Sequence, residues 1–238
     1  MSPSGQRRKP ARRRQPLPDV PALPPDLAPL DADGLAADDE HCDVELSGLE
    51  LSGEQLSRVS LETARLKDCR FEGAELRGWR CERVVFETCD FANSRWFDCD
   101  FSEVAFLDCR FVGASLTGGA LSAVLLRDCL AQLAKLSHLG RPHALLERCD
   151  LSGALLMESE LCDVRFADCD LTGLELFNVD LTDSDLRGNE LGGLKGAACL
   201  RGATIDPLQL LTLGPALAAH VGLVVEEGGG SPEDHPRP

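Results

Sequence analysis

Cys149-Asp150-Leu151-Ser152-Gly153 and, twenty residues on, Cys169-Asp170-Leu171-Thr172-Gly173 are one five-residue phrase written twice. Each reads small, polar, large apolar, polar, turn. Stepping outward by fives, the large apolar position recurs from Leu46 to Leu191. Of those 30 positions 27 are Leu, Phe or Trp, and the exceptions are Cys81, Ala131 and Arg141. An α-helix repeats at 3.6 residues and a strand at two. A period of five held this long fits neither and calls for a repeat architecture.

A second set of positions, two residues before the large ones, is small or medium: Val44, Ala64, Cys69, Ala74, Val84, Cys89 and onward to Cys129. The residue two after the large one is often Gly or Asp. Such a unit supplies one short side and one corner, with the large and small residues inward and the rest in water. Two columns give the number of sides. Cys69, Cys89, Cys109, Cys129, Cys149 and Cys169 recur every 20 residues, and Val84, Val104, Val124 and Val164 share that period. A 20-residue coil of five-residue units has four sides. Coils stacked at β-sheet spacing, about 4.8 Å, give about seven to eight coils and a rod of roughly 36 Å. Stability is then a chain of nearest-neighbour terms.

The register is disturbed at Ser137-His138-Leu139-Gly140-Arg141-Pro142-His143, where Arg takes an inward position and Pro removes a ladder donor. A bulge or short loop is expected there, with the stack resuming in phase at Leu146. Gly192-Gly193 weakens the repeat near its end, and Ile205 falls out of register. Asp206-Pro207-Leu208-Gln209 reads as a helix start, with Asp at the N-cap, Pro at N1 and Gln at N3. The spacing predicts one helix over Pro207–Leu213 and a second from Gly214-Pro215 to near Gly222. Their apolar faces should cover the open end of the stack. The expected organisation is a disordered Pro-rich tail with a basic run over 1–40, the repeat body over 41–194, a helical cap over 195–225 and a disordered tail over 226–238.

The formal net charge of −16 argues against a nucleic-acid-binding body. The sequence has no apolar run near 18 residues, so no membrane span is expected. The basic N-terminus runs into proline rather than an apolar stretch, so it does not read as a secretory signal. The 11 cysteines are therefore expected to be reduced thiols in a cytoplasmic protein. The six in one column form a straight row along one wall. Four zinc ligands must converge, which a row cannot do, so these cysteines read as compact core hydrophobes. There is no phosphate loop, nucleophile elbow or metal motif, and carboxylates on a convex rod lack the desolvated pocket of an acid–base pair. No enzyme and no cofactor is expected.

The five-residue motif and its register resemble the pentapeptide-repeat proteins over about 150 residues. The resemblance implies an all-β fold, a right-handed quadrilateral β-helix. It also implies a homodimer through the C-terminal region, for which Leu208, Leu210, Leu211, Leu213, Leu217 and Val221 are the candidate cap or dimer residues. The best understood members are acidic rods like B-form DNA in size and shape. They bind DNA gyrase or topoisomerase IV and protect it from fluoroquinolones or natural poisons, so antibiotic resistance is the role implied.

Charge supports a surface of that kind. Residues 147–190 hold 12 acids and three bases, a net of −9. Outward acids there are Asp150, Glu160, Asp163, Asp168, Asp170, Asp180, Asp183 and Asp185, the candidate partner surface. The plain structural account is a solvated face that keeps a β rod soluble. The alternative function is an interaction scaffold with an unrelated protein partner, tethered through Arg7, Arg8, Lys9, Arg12, Arg13 and Arg14. That run would give weak, salt-sensitive contact with nucleic acid or an anionic surface.

Overall fold

The backbone turns a corner every five residues, and the corner residue is left-handed. One corner column is Gly48, Asp68, Thr88, Asp108, Asp128, Arg148, Asp168 and Gly188, each with φ between 50° and 77°. Gly, Asp and Asn tolerate that region best, which is why the fifth residue of the motif is so often Gly or Asp. The computed structural model describes residues 16–30, 35–140 and 142–224.

Between corners the chain forms short parallel strands. Val44, Ala64, Val84, Val104, Val124, Ala144 and Val164 pair in succession, always 20 residues apart. One sheet holds the strands from Glu40–Ser47 to Val164–Ala167, and the other those from Gln55–Ser57 to Glu175–Asp180. The result is a four-sided parallel β-solenoid of about seven turns with one C-terminal helix. Inside, rings stack from coil to coil. Phe71 lies 4.9 Å from Phe91, Phe91 5.0 Å from Phe111, and Phe86 4.7 Å from Phe106.

The stretch at Ser137–His143 changes the strands without changing the coil length. Earlier strands of the first sheet, such as Asp100–Leu107, are eight residues long; Ala144–Glu147 has four. Across the core, three-residue strands such as Lys135–Ser137 give way to six-residue Leu155–Glu160. The expected bulge inserts no extra residue, because Val124, Ala144 and Val164 keep the 20-residue register. Arg141 lies outside the described residues. Ala131 occupies the large position between Phe111 and Leu151, and an apolar cavity of about 120 Å³ opens here, lined by Phe111, Ala114, Ala131 and Ala134 among others.

Three expectations about the ends need correction. The Pro-rich segment was expected to be disordered to residue 40. Ala28 and Pro29 instead pair with Val44 and Glu45, and Leu35 is buried in the core. An open first coil exposes ladder groups and apolar side chains, and this segment covers both. The repeat body also outlasts residue 194: Glu175 bridges to Lys195 and Asp185 to Thr204. The second spacing is 19 rather than 20, after the 3₁₀ turn Ala197–Leu200, which is why Ile205 breaks register. Finally, the two expected helices are one, α1, Pro207–His220 with Pro215 inside it. Proline clashes with the Cβ of the residue before it in a helix, and Gly214 has none. Residues 1–15 and 225–238 lie outside the described residues.

The helix start is as the sequence reads it. Asp206 accepts from Gln209 N, and Gln209 Oε1 accepts from Asp206 N, both at 2.9 Å. Capping of the stack falls to Gln209 and Leu213, both buried, with Leu217 packed beside them. Leu208, Leu210, Leu211 and Val221 are 52–76% exposed, so they do not cover the stack.

Candidate functional site

Because coils repeat every 20 residues, outward side chains stack in columns along the rod. In the earlier coils several columns join opposite charges, although Glu62 and Glu82 stand in register. Arg65 meets Glu45 at 3.1 Å, Arg70 meets Glu50 at 2.8 Å, Arg95 meets Glu75 at 3.0 Å and Arg110 meets Asp90 at 3.2 Å. Arg148 beside Asp128 holds that carboxyl below its usual range, as Arg127 does for Glu147.

After residue 150 two columns stack acid on acid, while Lys195 meets Glu175 at 2.6 Å in a third. Asp150, Asp170 and Glu190 follow one another in one column, and Glu160 and Asp180 in another. Asp163 and Asp183 line a single crevice with Arg165 and Asp185. Asp185 pairs with its neighbour Arg187 at 2.6 Å, and Asp168 stands exposed at its corner. The eight sequence-predicted acids thus lie in one stretch of the rod, although not on one flat face. Some also shape the turns: Asp150 accepts from Ser152 N and Asp170 from Thr172 N, both at 2.9 Å.

The cysteine column proves to be more than a row of small hydrophobes. Each of Cys69, Cys89, Cys109, Cys129, Cys149 and Cys169 sets its thiol between two carbonyls, one two residues earlier at 3.3–3.5 Å and one 23 residues earlier at 3.4–3.7 Å. A buried carbonyl needs a donor, and a thiol is a weak one that fits. Stronger donors continue the column: Asn189 donates to Phe166 O at 3.2 Å and Gln209 to Leu186 O at 2.6 Å. The cysteines are free thiols. Outside this column, burial pushes the Cys81 thiol up and takes Cys99 to about 11.

Sequence reasoning missed the outer apolar stripe Val85, Ala105, Leu125 and Leu145, buried although on the outward column. Its signal was there: four apolar residues in a row at positions where the motif is polar. Among the described residues no group of three or more His, Cys, Asp or Glu could hold a metal ion, and no helix is long and apolar enough to cross a membrane.

The family model of the pentapeptide repeat region matches residues 79–156, and that of eight-copy pentapeptide repeats matches residues 149–188. Residues 79–188 are a pentapeptide-repeat region. No curated protein sequence matches this chain. Among solved structures it is similar to a trypsin-treated variant of QnrB1, a plasmid-mediated fluoroquinolone resistance protein, at 18% identity and TM-score 0.42, covering 83% of this chain and 95% of that one. Full-length QnrB1 gives 22% identity and TM-score 0.36, over 75% and 100% of the two chains. HetL, a pentapeptide repeat protein involved in heterocyst differentiation regulation from the cyanobacterium Nostoc, gives 21% and 0.33, over 70% and 87%.

Proposed function

We propose that this pentapeptide-repeat protein is a non-enzymatic binding module. Its acidic later coils stand in for the DNA phosphate backbone at the basic DNA-binding surface of a type II topoisomerase, DNA gyrase or topoisomerase IV. The observation that carries the reading is the stacking of acid on acid, Asp150 with Asp170 and Glu190, and Glu160 with Asp180. Each step sets two negative charges about 4.8 Å apart. That repulsion is roughly 0.9 kcal/mol at the dielectric of water. In the earlier coils several of the corresponding steps join opposite charges instead, as Arg70 with Glu50 and Arg110 with Asp90. Two such columns carry one charge per about 2.4 Å of axis, and Asp163 and Asp183 add to that. Duplex DNA carries one per about 1.7 Å. The outer face of α1, with Leu208, Leu211 and Val221 exposed, is assigned in this reading to a second copy of the chain.

The test is a supercoiling assay with purified gyrase, with and without fluoroquinolone. The expected result is inhibition of supercoiling or rescue from the drug by the wild-type chain at micromolar concentration, lost in Asp150→Lys/Glu190→Lys. Neither inhibition nor rescue by the wild type would sink the reading.

A further inference from the structure

On the outward column of one face, Val85, Ala105, Leu125 and Leu145 form an apolar stripe four coils long, all of them 9% exposed or less. Side chains there point away from the core, and something outside must bury them. Leu107 and Ala167 of the solenoid flank the stripe, and Leu23 packs on it from the N-terminal segment. At one end of the same segment, Ala28 and Pro29 pair with Val44 and Glu45, and Leu30 N donates to Glu45 O at 2.9 Å. Towards the other end, Leu17 and buried Pro18 line a crevice with His143, Arg165 and Asp183.

The lengths agree with a straight run along the rod. Pro18 and Ala28 are ten residues apart in sequence, about 31–35 Å of extended chain. Ala28 lies one strand outside Val44, and Val164 six coils beyond. Seven steps at about 4.8 Å come to about 34 Å. Before Ala28, a segment running along the rod crosses the strands at a steep angle, so it finds no ladder for its backbone there. Residues 16–30 include Pro16, Pro18, Pro21, Pro24, Pro25 and Pro29, which have no N–H to satisfy and favour the extended polyproline conformation.

We propose that the Val85–Leu145 stripe is a docking channel for an extended proline-rich segment, and that residues 17–29 are its resident ligand, a strap held in cis that masks this face. Among the described residues the strap touches the acidic surface only at the crevice of Asp163, Asp183 and Asp185, and the proposal survives the failure of that reading because its contact with Val85–Leu145 is apolar. It commits to the chain's own segment because that segment supplies the aliphatic contact, the matching length and a backbone depleted in donors by its prolines at once.

The test uses the full chain and a fluorescent peptide of residues 16–30. Leu23→Asp puts a carboxylate on the stripe and lifts the strap while leaving the solenoid interior unaltered. The expected result is a several-fold rise in the fluorescence of a hydrophobic dye, reversed by the wild-type peptide added in trans. The wild-type chain should leave the peptide unbound. Equal peptide binding by the wild type and the variant would overturn the proposal, as would a folded variant that exposes no dye site and takes up no peptide. A wild-type chain that exchanges straps between two copies, seen as a concentration-dependent dimer lost in Leu23→Asp, would overturn the cis assignment. If Leu23→Asp fails to fold by circular dichroism, Leu23→Ala enters the same assay under the same criteria.

Discussion

The coils before residue 150 and those after it share one backbone and differ in what they stack. In the earlier part, seven ion pairs among the described residues join side chains 20 positions apart, from Arg58–Asp38 to Arg148–Asp128. Aromatic rings also stack in the interior there. In the later part the core is aliphatic around Leu151, Leu171 and Leu191, and outside, acids follow acids in two columns beside the pair Lys195–Glu175. Both arrangements satisfy the same coil, so the fold does not demand the second. Exposed like charges in register repel, so a step such as Asp170 to Glu190 adds nothing to the stack.

The largest test of the difference removes its stiffest part. Phe91 is fully buried and touches Phe71, Phe86, Trp96, Phe106 and Phe111. Phe91→Ala is expected to cost about 3–5 kcal/mol in urea unfolding; a loss under about 1 kcal/mol would mean the ring ladder contributes little. Next comes Gly119, at φ 81°, where an added Cβ would lie 2.0 Å from the Cys99 carbonyl oxygen. Gly119→Ala should cost at least about 2 kcal/mol, because both the angle and the backbone contact resist it. At the seam between the two regions the sign reverses. Ala131→Leu should fill the cavity beside Phe111 and raise stability by about 1 kcal/mol; destabilisation would show that the void is too divided to admit a side chain.

The smallest effects bear on charge. Glu190→Lys converts the Asp170–Glu190 step to the pattern of the earlier coils. It should add a few tenths of a kcal/mol at low salt, lost in high salt, while weakening topoisomerase binding if that reading holds. A variant that keeps full binding separates the acids from the function. Acid should act on the earlier coils in the opposite direction. Asp128 and Glu147 have lowered pKa values through Arg148 and Arg127. Their contribution is therefore full above the ordinary carboxylate range and is lost as pH falls through their lowered values. Hydrogen exchange between neutral pH and that range should show faster opening around Leu121–Arg127 and Ala144–Glu147. Unchanged protection there would remove these pairs from the stability account.

The solenoid body was legible because its information is periodic. Leu151 and Leu171, or Cys149 and Cys169, each report the same environment, and four-sidedness follows from their spacing. The helix start was legible for a local reason: Asp206, Pro207 and Gln209 carry their roles within four residues. The N-terminal segment was not. Its prolines and charges have the composition of a disordered tail, and the contact that orders it is made with residues far along the chain. Composition scores a segment alone, whereas Leu23 is placed by Val85, Ala105, Leu125 and Leu145. The cysteine column was half legible. Its small size could be read, but its donor role emerges only when Asn189 and Gln209 are seen to continue the same spacing. The eight acids could be named from the motif, while their division among columns needed the register.

The strap has a consequence for the order in which the protein is made. Residues 17–29 leave the ribosome before the coils do, yet the stripe they cover ends at Leu145, and Pro18 meets residues as late as Asp183. Coils can close on their neighbours as they emerge. The leading segment must wait until nearly the whole stack exists. Its docking therefore reports completion: a nascent or truncated rod leaves Val85, Ala105 and Leu125 bare, open to aggregation or to chaperones, and a finished rod conceals them.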